Sequence, residues 1–466
     1  MESALDPIPR DLARTLSDWL SFLAQSLPLR AVPTFLELLC ACLISPTGFL
    51  TQALCSFPYQ RHWSTYYFWL ESARWSWLAL ARQTTRLLCS VLKRPRFNII
   101  IDDTLVPRSS KKAPGVATRH EHSNKPNRPR FLNAQCWVIV ALVARRPNGK
   151  TIAVPLLSRL MRTPPATRGK LFAARALLRV LRPCLPAVRV LMDSWYMRRI
   201  LLFALLAQDC TFIGQVRKDT ALYLPPVRIA GKRGRPPRYG IKLTPEQVQQ
   251  LPSSTYRLKL YGQTRTVLLR SALVLARFLK GRRVRAVWCQ FVDEKTGQLS
   301  PTRLILASET RLRPTAVLTL YAQRWDVEPL LNQLKHPWGM REAWQQTHQV
   351  LSRWMQLRSL AYTLTQLLTL TVAPCLPLAQ LAPWRRVGSI TAGLMRAWLQ
   401  RHIVHFNPRR CWNSKSRKFA LPLTAFDRPD PQFPHQRPAA RASHHPHRPS
   451  PAPTSPAAGG RPNSKL

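Results

Sequence analysis

Acidic residues are what this chain has least of. Against 71 lysines and arginines stand 21 aspartates and glutamates, a formal net charge of +50 over 466 residues. A chain this basic repels itself, and a polyanion is the partner that relieves the repulsion. The basic residues run from Arg10 to Lys465 rather than forming one tail. The expected partner is therefore a long nucleic-acid surface, with a ribosomal-type or membrane-surface protein as the alternative. Paired cysteines are also missing. The ten cysteines are scattered, only Cys40 and Cys42 lie close together, and no C-x2-C spacing occurs. That excludes a zinc-finger framework and points to reduced, intracellular thiols. The stretch "MESALDPIPRDLARTLSDWL" has early acids and no apolar run, unlike a signal peptide. Residues 359–384 carry no charge, but Pro374, Pro377 and several Thr and Gln interrupt them, so buried helices are expected there rather than a membrane span.

What is present changes texture along the chain. Apolar residues recur at three- and four-residue spacing through "DWLSFLAQSL", "PTFLELLCACLI" and "WLALARQTTRLLCSVL", which predicts helices over about 12–94. Within them, "SFPYQRHWSTYYFWLESARWSW" mixes aromatics with Arg61, His62 and Arg74; it reads either as an aromatic core or as a helical DNA-docking surface. From "RPRFNIIIDDTLVP" onward, strands are predicted at 97–101, 136–146 ("CWVIVALVARR"), "KTIAVPLL", "AVRVLMDSWYM" and "CTFIGQVRKD", with helices at "RGKLFAARALLRVLR" and "RRILLFALLAQD". Three strands followed by helix–strand–helix–strand predict an α/β mixed sheet with helices on its faces. Short alternating runs between 217 and about 312, with turns at Gly262 and Gly297, predict a β-rich insertion. Helices resume to about 403. The Pro-, His- and Arg-rich end from 426 lacks the apolar content to fold; its His444, His445 and His447 are better read as a solvated tail than as metal ligands. No internal repeat is present.

Because acids are scarce, their positions carry information. Asp102 and Asp103 stop one predicted strand, Asp193 stops another, and Glu328 sits on a later helix. Strand ends of mixed sheets are where ligands and metals collect. Three carboxylates meeting there suit two Mg²⁺ ions, hard cations that keep waters for a substrate phosphate. Two such ions activate an attacking oxygen and stabilise a leaving one in phosphoryl transfer. The bland alternative makes each acid an independent cap or salt-bridge partner. The stretch "YAQRWDVEPLLNQLK", 321–335, weakens that alternative. Read as one helix, it places Tyr321, Arg324, Glu328 and Lys335 within about 60° of one another. Arg and Lys beside the acid then favour its ionised form and bind flanking phosphates.

Those four residues match Y-x2-R-x3-E-x6-K, and the chain resembles the DDE transposases of bacterial insertion sequences that carry this signature (insertion-sequence family four and its relatives). Trp325 also fits. "IIIDDTLVP" is similar to the family's first-acid strand, with a D-x-T pattern, and "VLMDSWYM" to its second-acid strand. The resemblance runs from about 35 to 405. It implies an RNase H-like core interrupted by a β-rich insertion, catalytic and metal-binding Asp102, Asp193 and Glu328, and two Mg²⁺ ions for which Mn²⁺ can substitute. Thr104 as the T of the pattern favours Asp102, with Asp103 as the alternative. DNA contacts are expected from Tyr321, Arg324, Trp325 and Lys335. The implied reaction is cleavage at terminal inverted repeats and strand transfer to target DNA. It would be carried out by a homodimer on DNA, in the bacterial cytoplasm and associated with the nucleoid, with no membrane or small-molecule substrate. The alternative is a non-catalytic DNA-binding derivative.

The expected organisation is a helical, DNA-docking region 1–95, core 96–216, β-rich insertion 217–312, signature helix 313–345, C-terminal helices 346–425 and a disordered tail 426–466. Two further segments are basic. The loop "PRSSKKAPGVATRHEHSNKPNRPR" is longer than a turn needs, and its His120 and His122 are read as backbone contacts to DNA before metal ligands. "GKRGRPPRYG" contains Arg233-Gly234-Arg235-Pro236. This is the core of an AT-hook that fits a narrow minor groove, with a plain basic turn as the equal alternative. Arg341, Arg353 and Arg358 are expected on helices that buttress the core, with DNA on their exposed side.

Overall fold

The computed structural model describes residues 8–121, 129–163, 169–227, 237–371, 390–404 and 407–421. All of them belong to one compact unit, Met1–Arg428; a second unit, Pro429–Leu466, lies outside the described residues. So do Arg233 and Arg235, His122, the tail histidines and the end of the uncharged run.

The core sheet grows from runs too apolar to face water on either side. β1 (Arg96–Pro107), β3 (Phe131–Arg145) and β4 (Thr151–Leu160) are antiparallel neighbours. β5 (Ala187–Met192) lies parallel to β1, and β6 (Cys210–Val216) parallel to β5. β3 is buried without a break from Ala134 to Leu142, as a strand covered on both faces must be. The helix α7 (Arg199–Leu206) carries the chain from β5 to β6, a βαβ crossover. The resulting order, β4-β3-β1-β5-β6, is that of an RNase H-like fold. β2 (Val116–His120) adds to the outer edge of β3.

The strands of 217–312 do not form a sheet of their own. β11 (Arg303–Ala307) pairs antiparallel with β6, and β10 (Arg282–Phe291) and β9 (Gln263–Ala276) follow it. β7 (Leu222–Tyr223) and β8 (Ser253–Leu260) pair with β9. The sheet is therefore continuous through β6, a join between distant segments that alternation within each segment cannot reveal. A short helix, α8 (Pro245–Gln250), interrupts the strands. Its signal was legible in "TPEQ": Thr244 accepts from the Gln247 N–H and the Gln247 side chain accepts from the Thr244 N–H, a capping box.

Helices cover the sheet. α1 (Ile8–Ala24), α2 (Val32–Ile44), α3 (Leu50–Leu54), α4 (Trp63–Glu71) and α5 (Trp77–Leu92) precede it, and α6 (Lys170–Leu181) follows β4. α9 (Pro314–Ala322), α10 (Val327–Lys335), α11 (His348–Thr371) and α12 (Ala392–Ile403) come after it. α11 is buried from Val350 to Thr369 and lies on β4. There a register shift at Val140/Ala141 accommodates Pro155, and Gln356 and Thr363 donate to the carbonyls of Leu156 and Pro155. Among the described residues no helix is long and apolar enough to cross a membrane.

The basic residues of α11 do not face outward. Arg353 is 5% exposed and donates to the carbonyls of Leu70, Glu71, Ala73 and Trp75 at 2.8–3.2 Å, its guanidinium 4.8 Å from the Trp75 ring centroid. Arg358 is fully buried and donates to the Trp338 carbonyl. Arg353 ties α11 to the end of α4 and the connection after it, and Arg358 ties α11 to the turn that follows α10. Arg353→Met leaves the buried carbonyls without their donor and should cost about 2–3 kcal/mol, the upper part of the range for a buried polar group left unpaired. The check is urea unfolding; a loss below about 1 kcal/mol would show that the four carbonyls find other partners. The aromatic segment is divided: Tyr66, Trp69 and Trp75 are core, whereas Tyr59, Trp63 and Phe68 are exposed.

Candidate active site

The site forms where one strand outruns its neighbour. β1 and β5 pair in parallel from Arg96/Ala187 to Ile101/Met192, and there β5 ends. β1 continues on its β3 side through Asp102 and Asp103 to Pro107. The expectation that the two acids end their strand is thus corrected: it is the neighbour that ends, because the chain turns at Asp193. Adjacent strands lie about 4.8 Å apart, so the register sets Asp102 beside Asp193. Asp193 Oδ1 accepts from the N–H groups of Trp195 and Tyr196 at 3.0 and 3.2 Å, which tightens the turn. Gly214 on β6 makes room for it, since a Cβ there would stand 2.4 Å from Met197 Sδ.

The segment 321–335 is not one helix, and the expectation of a single signature helix is corrected too. α9 ends at Ala322, a 3₁₀ turn spans Gln323–Asp326, and α10 begins at Val327. The cause is Pro329. It has no N–H to give the Trp325 carbonyl, and its ring would clash with that carbonyl four residues back, so the preceding turn tightens. A 3₁₀ turn advances about 120° per residue, so the single-helix wheel does not describe these side chains. The turn is pinned to the sheet by Asn98 of β1, which donates to Gln323 Oε1 at 2.8 Å. Asn98 in turn accepts from Arg189, which pairs with Glu309. Asn98 and Asp102 share a face of β1 by strand alternation, and on that face Arg324 Nη1 meets Asp102 Oδ2 at 3.1 Å, both side chains 13% exposed.

Charge on this face is unbalanced. Burial pushes the Asp102 carboxyl up to about 7. Arg324 and the Asp103 N–H oppose that rise, while Asp193 and Asp103 add to it. Burial pulls Arg324 down, but Tyr321, Asp102, Asp193 and Glu328 together leave it raised. The guanidinium is thus the point on which all three carboxylates act. Glu328 is exposed, in the first turn of α10, and Lys335 is the last residue of that helix. Tyr321 is buried, with its hydroxyl 3.4 Å from Gln215 Oε1. Trp325 is 52% exposed and meets Tyr261, from the β8–β9 turn, edge-on at 6.3 Å.

Asp103 faces the other way. Its carboxylate accepts from Lys170 and the Tyr196 hydroxyl. Neither residue was singled out in the sequence. A lysine opening a helix, and a tyrosine three residues after an acid, were the available signals. His120 ends β2, its ring against Phe131. Among the described residues no three His, Cys, Asp or Glu side chains are grouped closely enough to hold a metal ion. The donor chemistry nonetheless suits one: the face carries only oxygen acids, two of them side by side, and one cation already answers their charge.

The site is thus an RNase H-like sheet with two aspartates side by side at the end of its central parallel strands. The family model described as DDE superfamily endonuclease matches residues 34–273, a span of 240 in a chain of 466, and the chain belongs to that family. DNA is the substrate of this class, whose members generally use divalent metals. The matched span contains Asp102 and Asp193 and stops before 321–335. No curated protein matches the chain.

Proposed function

We propose that this endonuclease is a transposase of the insertion-sequence type, which cuts at the inverted ends of its element and joins the freed 3′-hydroxyls to target DNA. The observation that carries the reading is the Asp102–Asp193 pair with Arg324 set against it. Asp102, Asp193 and Glu328 would hold two Mg²⁺ ions, or Mn²⁺ in their place. When bound, such ions supply Lewis-acid stabilisation of the attacking and leaving oxygens. Arg324 and Lys335 hold phosphate oxygens beside the scissile bond, and Tyr321 supports Arg324 from within the core. Exposed Trp325 offers a face for DNA. The basic 231–240 segment, with Arg233 and Arg235, is assigned to the minor groove. The helical region before residue 96 docks the element's ends, 217–312 inserts between the second aspartate and the glutamate, and two chains pair the ends as a homodimer.

The test supplies purified protein with DNA carrying the element's ends and Mg²⁺ or Mn²⁺. The expected result is nicking at the ends, followed by joined products. Nicking without joining would reduce the protein to a nuclease. Tight binding with neither step would favour a non-catalytic derivative.

A further inference from the structure

We propose that Asp103 is a positioning residue for Asp193, acting from the opposite face of the sheet; the proposal rests on the catalytic reading of Asp193. Two residues fix the Asp193 carboxylate through their backbone N–H groups, Trp195 and Tyr196. The side chains of both lead back to Asp103. Tyr196 is fully buried, and its hydroxyl donates to Asp103 Oδ1 at 2.9 Å. Trp195 lies under Lys170, whose Nζ stands 4.2 Å from the ring centroid. That same Nζ donates to both Asp103 oxygens, at 2.9 and 3.0 Å. Two closed circuits result: Asp103–Tyr196–Asp193, and Asp103–Lys170–Trp195–Asp193.

Local preference does not explain this arrangement. Lys170 is the first residue of α6, and that helix has no acid in its first turn. A cation at a helix N-terminus opposes the macrodipole, so its place there is set by Asp103 and not by the helix. The Asp103 and Lys170 side chains are 16% and 27% exposed, sheltered enough for the contacts to hold shape. The adjacent aspartates thus divide the work: Asp102 faces the reaction, and Asp103 holds the turn that presents Asp193. Partners of this indirect kind typically change metal affinity about 10- to 100-fold when removed.

The experiment compares Tyr196→Phe, Asp103→Ala, Asp103→Asn and Lys170→Met in the full chain bound to DNA. Mn²⁺ affinity is read by titration calorimetry, nicking is measured across Mn²⁺ concentrations, and melting temperature is followed in parallel. Tyr196→Phe and Asp103→Ala are expected to weaken Mn²⁺ binding about tenfold or more, with the maximal nicking rate largely recovered at saturating Mn²⁺. Asp103→Asn keeps an oxygen for the tyrosine hydroxyl and should fall between wild type and Asp103→Ala. Lys170→Met breaks the second circuit without opening the core and should also weaken binding. Unchanged Mn²⁺ affinity with only a lowered melting temperature would overturn the proposal. So would loss of nicking in Asp103→Ala at every Mn²⁺ concentration, which would make Asp103 a ligand itself. Asp193→Ala separates the two readings. Persistent nicking there would refute the catalytic assignment. Its abolition beside a wild-type titration for Tyr196→Phe would refute only the positioning role.

Discussion

Glu328→Ala should lower the rate of nicking about a thousandfold or more while leaving DNA affinity within about twofold. Metal-assisted stabilisation of a phosphoryl transition state is worth several kcal/mol, and each ~1.4 kcal/mol is a factor of ten. Glu328 is exposed in the first turn of α10. Its removal therefore takes away a small helix-dipole contribution, about 0.3–1 kcal/mol, and little of the fold. Asp102→Asn and Asp193→Asn should give losses of the same order. Residues that act as a unit are non-additive, so the double variant Asp193→Asn/Glu328→Ala should be little slower than either single one. Multiplying losses, or a Glu328→Ala enzyme that nicks at the wild-type rate, would show that α10 works apart from the two strands. Electrophoretic mobility shifts provide the binding control.

The second large effect is on stability against pH. Burial raises Asp102 from an ordinary 3.8 to about 7. The sign follows from proton counting: between these values the unfolded chain has released its proton and the folded chain keeps it. Stability therefore falls as pH rises from about 4 to about 7 and levels off above. At about 1.36 kcal/mol per tenfold, the interval is worth roughly 4 kcal/mol. Asp102→Asn carries no such proton, so the wild type should lose roughly that much relative to the variant between pH 4 and pH 8. Taking the difference cancels the other titrating groups. Mg²⁺ should restore wild-type stability more at pH 8 than at pH 5.5, because protons compete with metal for the carboxylate. Parallel unfolding curves for the two proteins at all pH values would mean that Asp102 titrates in the folded chain as it does in the unfolded one.

Much of the candidate site's framework was legible because the core strands are local objects. Runs such as "FNIII" and "AVRVLM" are buried on both sides, and no other element suits their β-branched texture. The acids that follow them stood out against a basic background. The signature segment was read with the wrong local geometry: a helix wheel put Arg324 beside Glu328, whereas the structure sets Arg324 on a 3₁₀ turn against Asp102. Pro329 was in plain view and could have warned of the break. The basic residues of α11 misled because charge usually marks a surface. Arg353 is buried only because the carbonyls of 70–75 close around it, and those come from a distant part of the chain.

The sequence by itself determined the polyanionic partner, the strand-rich core with its helical flanks, and the short set of acids from which a site could be built. These depend on composition and on periodicities of two and 3.6, which each segment carries alone. Only the tertiary structure decided that β11 joins β6 into one sheet, that β5 stops while β1 continues, and hence which aspartate of the adjacent pair faces Arg324 and which faces Tyr196. Neighbouring residues of a strand always point to opposite sides; what lies on each side is fixed by elements about 70 to 220 residues away, beyond the reach of any local pattern.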